Sequence, residues 1–448
     1  MAKINFDYVN TSEQISPTKF NNNFQALENA INDGTIGGGG SSPQVSGLEY
    51  GVEWDITNSV FTRLASAVGM TKGANFTSVY PWSGIRRCNL TNAGVVTAYY
   101  GDSAYKTDGS NGQVMVEIPK FYYKTVPVTY TMDGGQVQPT KLQYYISDTK
   151  LAGYKLHPAF LRDGEVLDYV YVGAYEATVY DASASAYVHD FAFDAAADIL
   201  SSVSGYKPIS GNSATFTRAI ARQMARRRGQ GWEIQDFLTT SAIQMLILVE
   251  LASFDVQTEI GQGVTTKTDD GTNNMAENTG YTNNLGNNSG EANTSSSTYK
   301  AVSYRGIENL WGNIWTWIDG INIQNAGLGY AWIADHGFAD DIMTDPYQRV
   351  NVKLPAANGY VDTLIYDGSV DFAFLPASTA GASNKPVNDY FWQNIATSGM
   401  TVAALGAGWD YGSSAGAFCW HVHVTSSPSN RGIGSRLGFY RKTSHKAA

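Results

Sequence analysis

Arg305-Gly306-Ile307-Glu308-Asn309-Leu310-Trp311-Gly312-Asn313-Ile314-Trp315-Thr316-Trp317 packs three tryptophans into seven residues. So much aromatic surface reads as core packing rather than as a cofactor box. Gly306 and Gly312 permit tight turns against that core. Around it the chain reads as short strands and turns. Gln113–Pro119, QVMVEIP, alternates Val114, Val116 and Ile118 as a half-buried strand that stops at Pro119. Asp168–Tyr180, DYVYVGAYEATVY, is a long β-type run, and shorter runs recur at Thr363–Tyr366 and Asp371–Leu375. Two helices interrupt the strands. Phe216–Arg228 carries Phe216, Ile220 and Met224 on one stripe. Arg218, Arg222 and Arg226 form another, read as a wet face or a set of carboxylate partners. Gln235–Phe254 is apolar nearly all round and therefore buried.

The chain has 448 residues, 43% of them hydrophobic, enough for a sizeable core in two or more domains. Plentiful Gly (46), Tyr (28) and Trp (10) favour β structure with many turns. A formal net charge of −10 counts against a nucleic-acid partner. Cys88 and Cys419 are the only cysteines, so there is neither a disulfide framework nor a CxxC metal pair. Met1–Asn10 lacks the apolar region of a signal peptide. Ala242–Ala252 is interrupted by Gln244 and Glu250 and falls short of the ~20 residues that span a bilayer. Synthesis in a cytoplasm without membrane insertion is expected.

Ser16 and Pro17 open a helix, with Phe20, Phe24, Leu27 and Ile31 as a narrow apolar seam and Gly34 to end it. Residues 1–36 are thus expected to be an N-terminal helix that attaches or trimerises. A Gly/Ser linker follows over 37–47. Residues 48–128 form a β-rich middle domain in which Arg86 and Arg87 mark a solvated face and Cys88 is a small buried hydrophobe. Residues 129–150 connect it to a domain over 151–448, with a hairpin turn at Gly134 and Gly135. Gly261–Thr298 is too polar for a core. Its acids Asp269, Asp270 and Glu277 offer oxygen ligands for a structural Ca2+ or Mg2+, at a spacing that matches no standard calcium loop. No other cofactor is expected.

Trp409–Leu437, WDYGSSAGAFCWHVHVTSSPSNRGIGSRL, carries aromatics at intervals among Gly and Ser. Those residue types make adaptable binding surfaces. His421 and His423 alternate, so on a strand they share a face, with no third metal ligand in view. The chain holds no Walker A loop, HExxH or GxSxG, and no local motif singles out a carboxylate pair for glycoside cleavage.

RGIENLWGNIWTW, with DYVYVGAYEA upstream and the IGSRLGFYR ending, resembles the formylglycine-generating-enzyme type of C-type lectin fold over about residues 151–441. The paired thiols that the family's oxidases use are here reduced to Cys419 alone. The runs YGVEWD, YPWSGIRRCNL, GQVMVEIPKFYYK and GYKLHPAF, with the same ending, are similar to phage tail-fibre receptor-binding proteins. Within these the likeness is to diversity-generating-retroelement variable proteins of the major tropism determinant type. The resemblance implies an α+β fold with an N-terminal helix, a β-rich middle domain and a C-terminal C-type lectin-like domain whose segment 409–437 varies. In such templates the Asn or Tyr codons open to adenine mutagenesis would fall on Asp410, Tyr411, Ser414, Cys419, His421, His423, Val424, Pro428, Asn430 and Gly432. Trp409, Phe418, Trp420 and Arg436 match the constant scaffold. The implied role is a trimeric tail-fibre-tip adhesin on the virion. It would bind a bacterial surface receptor, protein or glycan, and join the phage tail or baseplate through its N-terminus. The competing expectations are a tail-associated glycan-degrading enzyme or formylglycine-type oxidase, and a purely structural fibre subunit.

Overall fold

The computed structural model describes residues 47–445 except 134–135, 190–191, 213–214 and 272–274. The helix expected over 1–36, all but the last residue of the linker and the 134–135 turn lie outside the described residues. Strand accounts for 36% of the chain and helix for 11%, in a β-rich sandwich or half-barrel. The expected α+β class, with its C-type lectin-like C-terminal domain, is thereby corrected. Helical periodicity stands out in the sequence, whereas most strands here run only two to seven residues and pair with distant partners.

Three larger sheets carry the unit 46–448. A five-stranded sheet holds Glu49–Asp55 between Val60–Ala65 and Gln136–Ser147, with Tyr122–Asp133 beyond. A seven-stranded sheet runs Trp232–Ile234, Leu437–Phe439, Tyr169–Gly173, Gln113–Pro119, Arg86–Leu90, Val95–Tyr99, Ser444–His445. It joins strands from residues 86–119 to strands from 169–445, so both stretches share one sheet. Its centre, Gln113–Pro119, is buried on both faces rather than one. Val114, Val116 and Ile118 enter one core cluster and Met115 enters another. Buried Glu117 accepts from Arg86 Nη2 at 2.8 Å and the Tyr171 hydroxyl at 2.8 Å. Arg87, expected on a solvated face, is fully buried and donates from Nε to the Gly306 carbonyl at 2.8 Å.

The third sheet positions the site. Trp315–Gln324, Met400–Leu405, Trp420–Val424, Tyr390–Asn394 and Ala357–Tyr360 lie side by side, and Ile433–Gly434 pairs in parallel with Trp315–Thr316. Trp311, Trp315 and Trp317 are all core residues, exposed by 0%, 2% and 1%. The chain reaches them through a tight turn at Gly312, φ 74°, where an added Cβ would meet the Val264 carbonyl oxygen at 2.8 Å. Gly312→Ala is therefore expected to cost about 2 kcal/mol. A urea-denaturation midpoint matching the parent's would contradict that.

Phe237–Leu251 is one helix with all fifteen residues buried, capped by Asp236, which accepts from Thr239 N at 2.8 Å. Its polar interruptions have partners. Gln244 Nε2 donates to the Ala417 carbonyl at 2.8 Å, and Glu250 receives Arg305 Nε at 2.6 Å. The arginines of Arg218–Arg226 resolve to carboxylate partners: Arg218 on Asp340, Arg222 on Asp319 and Asp340, Arg226 on Glu233. Among the described residues no helix is long and apolar enough to cross a membrane.

Candidate functional site

Trp420–Val424 alternates in the way its period-two geometry demands: Trp420 and Val422 are buried, His421 and His423 half-buried on the other face. The four scaffold residues lie inside, with Trp409 3%, Phe418 1%, Trp420 0% and Arg436 0% exposed. Trp420 Nε1 donates to the Phe374 carbonyl at 3.2 Å, and Phe418 N to Asp389 Oδ2 at 2.6 Å. Arg436 donates to the Gly173, Glu308 and Asn309 carbonyls at 2.9, 2.6 and 3.0 Å.

Of the ten positions read as variable, Asp410, Pro428 and Asn430 are exposed, while Tyr411, Ser414, His421, His423, Val424 and Gly432 are half-buried. Cys419 is the correction: it is 0% exposed and packs in the core with Trp315 and Trp317. A turn in which Cys419 N bonds the Gly416 carbonyl at 3.2 Å precedes the strand, so Phe418, Cys419 and Trp420 are buried consecutively. Burial also pushes its thiol well above the ordinary range, so Cys419 offers neither a surface contact nor a nucleophile.

Asp410, Tyr411, His421, Asn430 and Gly432 converge on one concavity of about 340 Å³. Trp409, Trp315, Asp269 and Arg431 complete its wall. Tyr411 stands edge-on to Trp315, with centroids 5.1 Å apart. His421 Nε2 lies 3.4 Å from His423 Nε2. Burial, then the neighbouring His423, lowers His421 to about 3, and burial also lowers His423. Both imidazoles are therefore neutral at pH 7 and bond as neutral donors or acceptors. Burial, with Asp269 nearby, raises the Asp410 carboxyl. Arg431 pairs with Asp269 and with Asp270 at 3.4 Å, and its guanidinium lies 5.6 Å from the Trp409 ring centre. Asn430 Oδ1 accepts from Gly432 N at 2.7 Å, which fixes the turn before Ile433. Ser414 lies outside this lining, its Oγ 3.3 Å from the Tyr360 hydroxyl.

The polar stretch 261–298 supports this face from beneath. Gly412 N donates to the Thr265 carbonyl at 2.7 Å and Lys267 N to the Trp409 carbonyl at 2.8 Å. Its acids meet cations of the chain, Asp269 and Asp270 on Arg431 and Glu277 on Lys267 at 2.5 Å. No group of three or more His, Cys, Asp or Glu side chains arranged for a metal occurs among the described residues. Asp269, Arg431 and Trp315 went unassigned to the site in the sequence. Trp315 carries the signature of core, and Asp269 belongs to a stretch some 140 residues upstream.

A larger concavity of about 610 Å³ lies elsewhere, lined by Arg162, Glu233, His336 and Tyr440 among others, and by none of the ten positions. Glu233 pairs with Arg226 at 2.8 Å, and His336 Nδ1 lies 2.6 Å from Asp335 Oδ1. Burial raises Glu233 to about 7. No protein-family model and no curated protein matches the chain.

Proposed function

We propose that this protein is a non-catalytic adhesin of a phage tail-fibre tip that binds a bacterial surface receptor through the 409–437 face. One observation carries the reading. Five positions expected to vary line one concavity, against scaffold residues no more than 3% exposed. Side chains there can change without disturbing the core, as a diversified binding site requires. The resemblance to retroelement-diversified receptor-binding proteins supplies the rest: attachment to the tail through the N-terminus and assembly as a homotrimer on the virion. Several copies per particle turn weak individual contacts into firm adhesion.

The test is binding of the full chain to host cells, against a variant with Tyr411, His421, His423 and Asn430 all changed to Ala. A loss of about 100-fold or more is expected, with a melting curve that remains cooperative. Undiminished binding by the folded variant would end the proposal. A second reading, a tail-associated glycan-degrading enzyme, would take its general acid from Glu233, which lines the 610 Å³ concavity and which burial raises to about 7. Release of reducing ends from host polysaccharide, abolished by Glu233→Gln, is the result that reading requires.

A further inference from the structure

Beyond the concavity, aromatic side chains continue across the sheet in a connected row. Tyr360 meets Tyr390 at 5.0 Å between ring centres, Tyr390 meets Trp392 at 4.5 Å, and Trp392 meets Tyr411 at 5.9 Å. Pairing explains the alignment. Tyr360 lies opposite Tyr390 on the neighbouring strand, and Trp392 lies opposite His421 on the next. Tyr390 and Trp392 are two residues apart and therefore share a face, while Phe391 between them is buried. All four residues are half-buried, so none is sealed in the core. Three of them, Tyr360, Tyr390 and Trp392, lie outside the 409–437 segment.

Building on the adhesin reading, we infer that the ligand is a glycan, laid along the Tyr360–Tyr390–Trp392–Tyr411 row with one end in the 340 Å³ concavity. The chemistry of the row selects that class. Aromatic faces carry negative quadrupole density and attract the weakly positive C–H bonds that a sugar ring presents. The groups along it suit hydroxyls: the Asp410 carboxylate, the Asn430 amide and the His421 imidazole line the concavity, His423 stands 3.4 Å from His421, burial keeps both imidazoles neutral, and the Ser414 hydroxyl lies at the other end beside Tyr360. The Arg431 charge is met by Asp269 and Asp270, which leaves the concavity without the dominant cation that a phosphate or carboxylate ligand would need. A concavity of this volume holds a ring or two, at the low end for small-ligand sites, whereas a protein partner needs about 800 Å² on each side.

The test uses capsular polysaccharide and lipopolysaccharide extracted from the strain that the full chain binds, each before and after periodate oxidation. The full chain should bind at least one extract and lose it on oxidation. Trp392→Leu keeps apolar volume but removes the π-face, and should weaken binding about tenfold, as loss of one stacked ring does elsewhere. Tyr390→Ala, at a half-buried position, provides the second variant, and thermal melts confirm that both fold. Failure to bind either extract, or binding by folded Trp392→Leu equal to the parent's, overturns the inference. So does loss of cell binding after proteinase K but not after periodate, the signature of a protein receptor. The quadruple variant separates the two levels. If it loses the cells while Trp392→Leu does not, the glycan falls and the adhesin stands. If neither loses them, both fall.

Discussion

Arg436→Met is expected to remove about 3–5 kcal/mol of folding stability, the range for taking one partner out of a buried charged network. Arg436 is 0% exposed and its guanidinium donates to three carbonyls, those of Gly173, Glu308 and Asn309. Burial lowers its pKa only to about 10, with Glu176 and Glu308 supporting the charge, so the group is cationic at pH 7. Met supplies comparable apolar volume and no donors. Three buried carbonyl oxygens then lose their partner. Arg436→Lys should recover little, because an ammonium cannot present the planar fork that reaches carbonyls on two separate segments. Urea denaturation measures both variants. A loss below about 1 kcal/mol for Met would show that the network is dispensable. Arg436, near the end of the segment read as variable, thus clamps it to the Tyr169–Gly173 strand and to the Ile307–Glu308 strand and its following residue Asn309.

How far the site was legible follows from which forces are local. Trp409, Phe418, Trp420 and Arg436, expected as scaffold of the face, are each buried. Nine of the ten positions read as variable keep some exposure, whereas Cys419 does not, because codon pattern says nothing about the phase at which a turn enters a strand. The two longer helices were readable, one from its stripes and one from its unbroken apolar run, at Arg218–Arg226 and Phe237–Leu251 within a few residues of expectation. The expected α+β class came from the resemblance, while the two- to seven-residue strands that dominate leave too short a period to count. The aromatic row was out of reach altogether. Tyr360, Tyr390, Trp392 and Tyr411 become neighbours only through pairings between strands that the chain order does not announce, one of them parallel. The same holds for the Ile433–Gly434 contact with Trp315–Thr316, which sets the rim of the concavity.

Acidification should expose the histidine pair. In the folded chain His421 titrates near about 3, held down by burial and by His423, against 6.5 when unfolded. Between those values the unfolded chain binds the additional proton, so stability is fully present above pH 6.5 and drains as the pH falls toward 3. The loss from His421 is bounded at roughly 4–5 kcal/mol, at about 1.4 kcal/mol per pH unit. Asp389 works in the opposite direction. Burial raises its carboxyl to about 8 from 3.8, so the folded chain holds that proton longer and gains stability as the pH falls through that window. The two slopes overlap in the parent, and a single pH curve cannot separate them. His421→Gln does, since Gln stays neutral throughout and leaves Asp389 in place. Stability measured by urea denaturation at pH 7 and at pH 4 should fall less for His421→Gln than for the parent, by about 3 kcal/mol. Equal falls would mean that His421 ionises freely in the folded chain, with its ring reachable by water. That result would remove the neutral-imidazole chemistry assigned to the concavity and turn the pair, below pH 6.5, into a cationic patch suited to an anionic ligand.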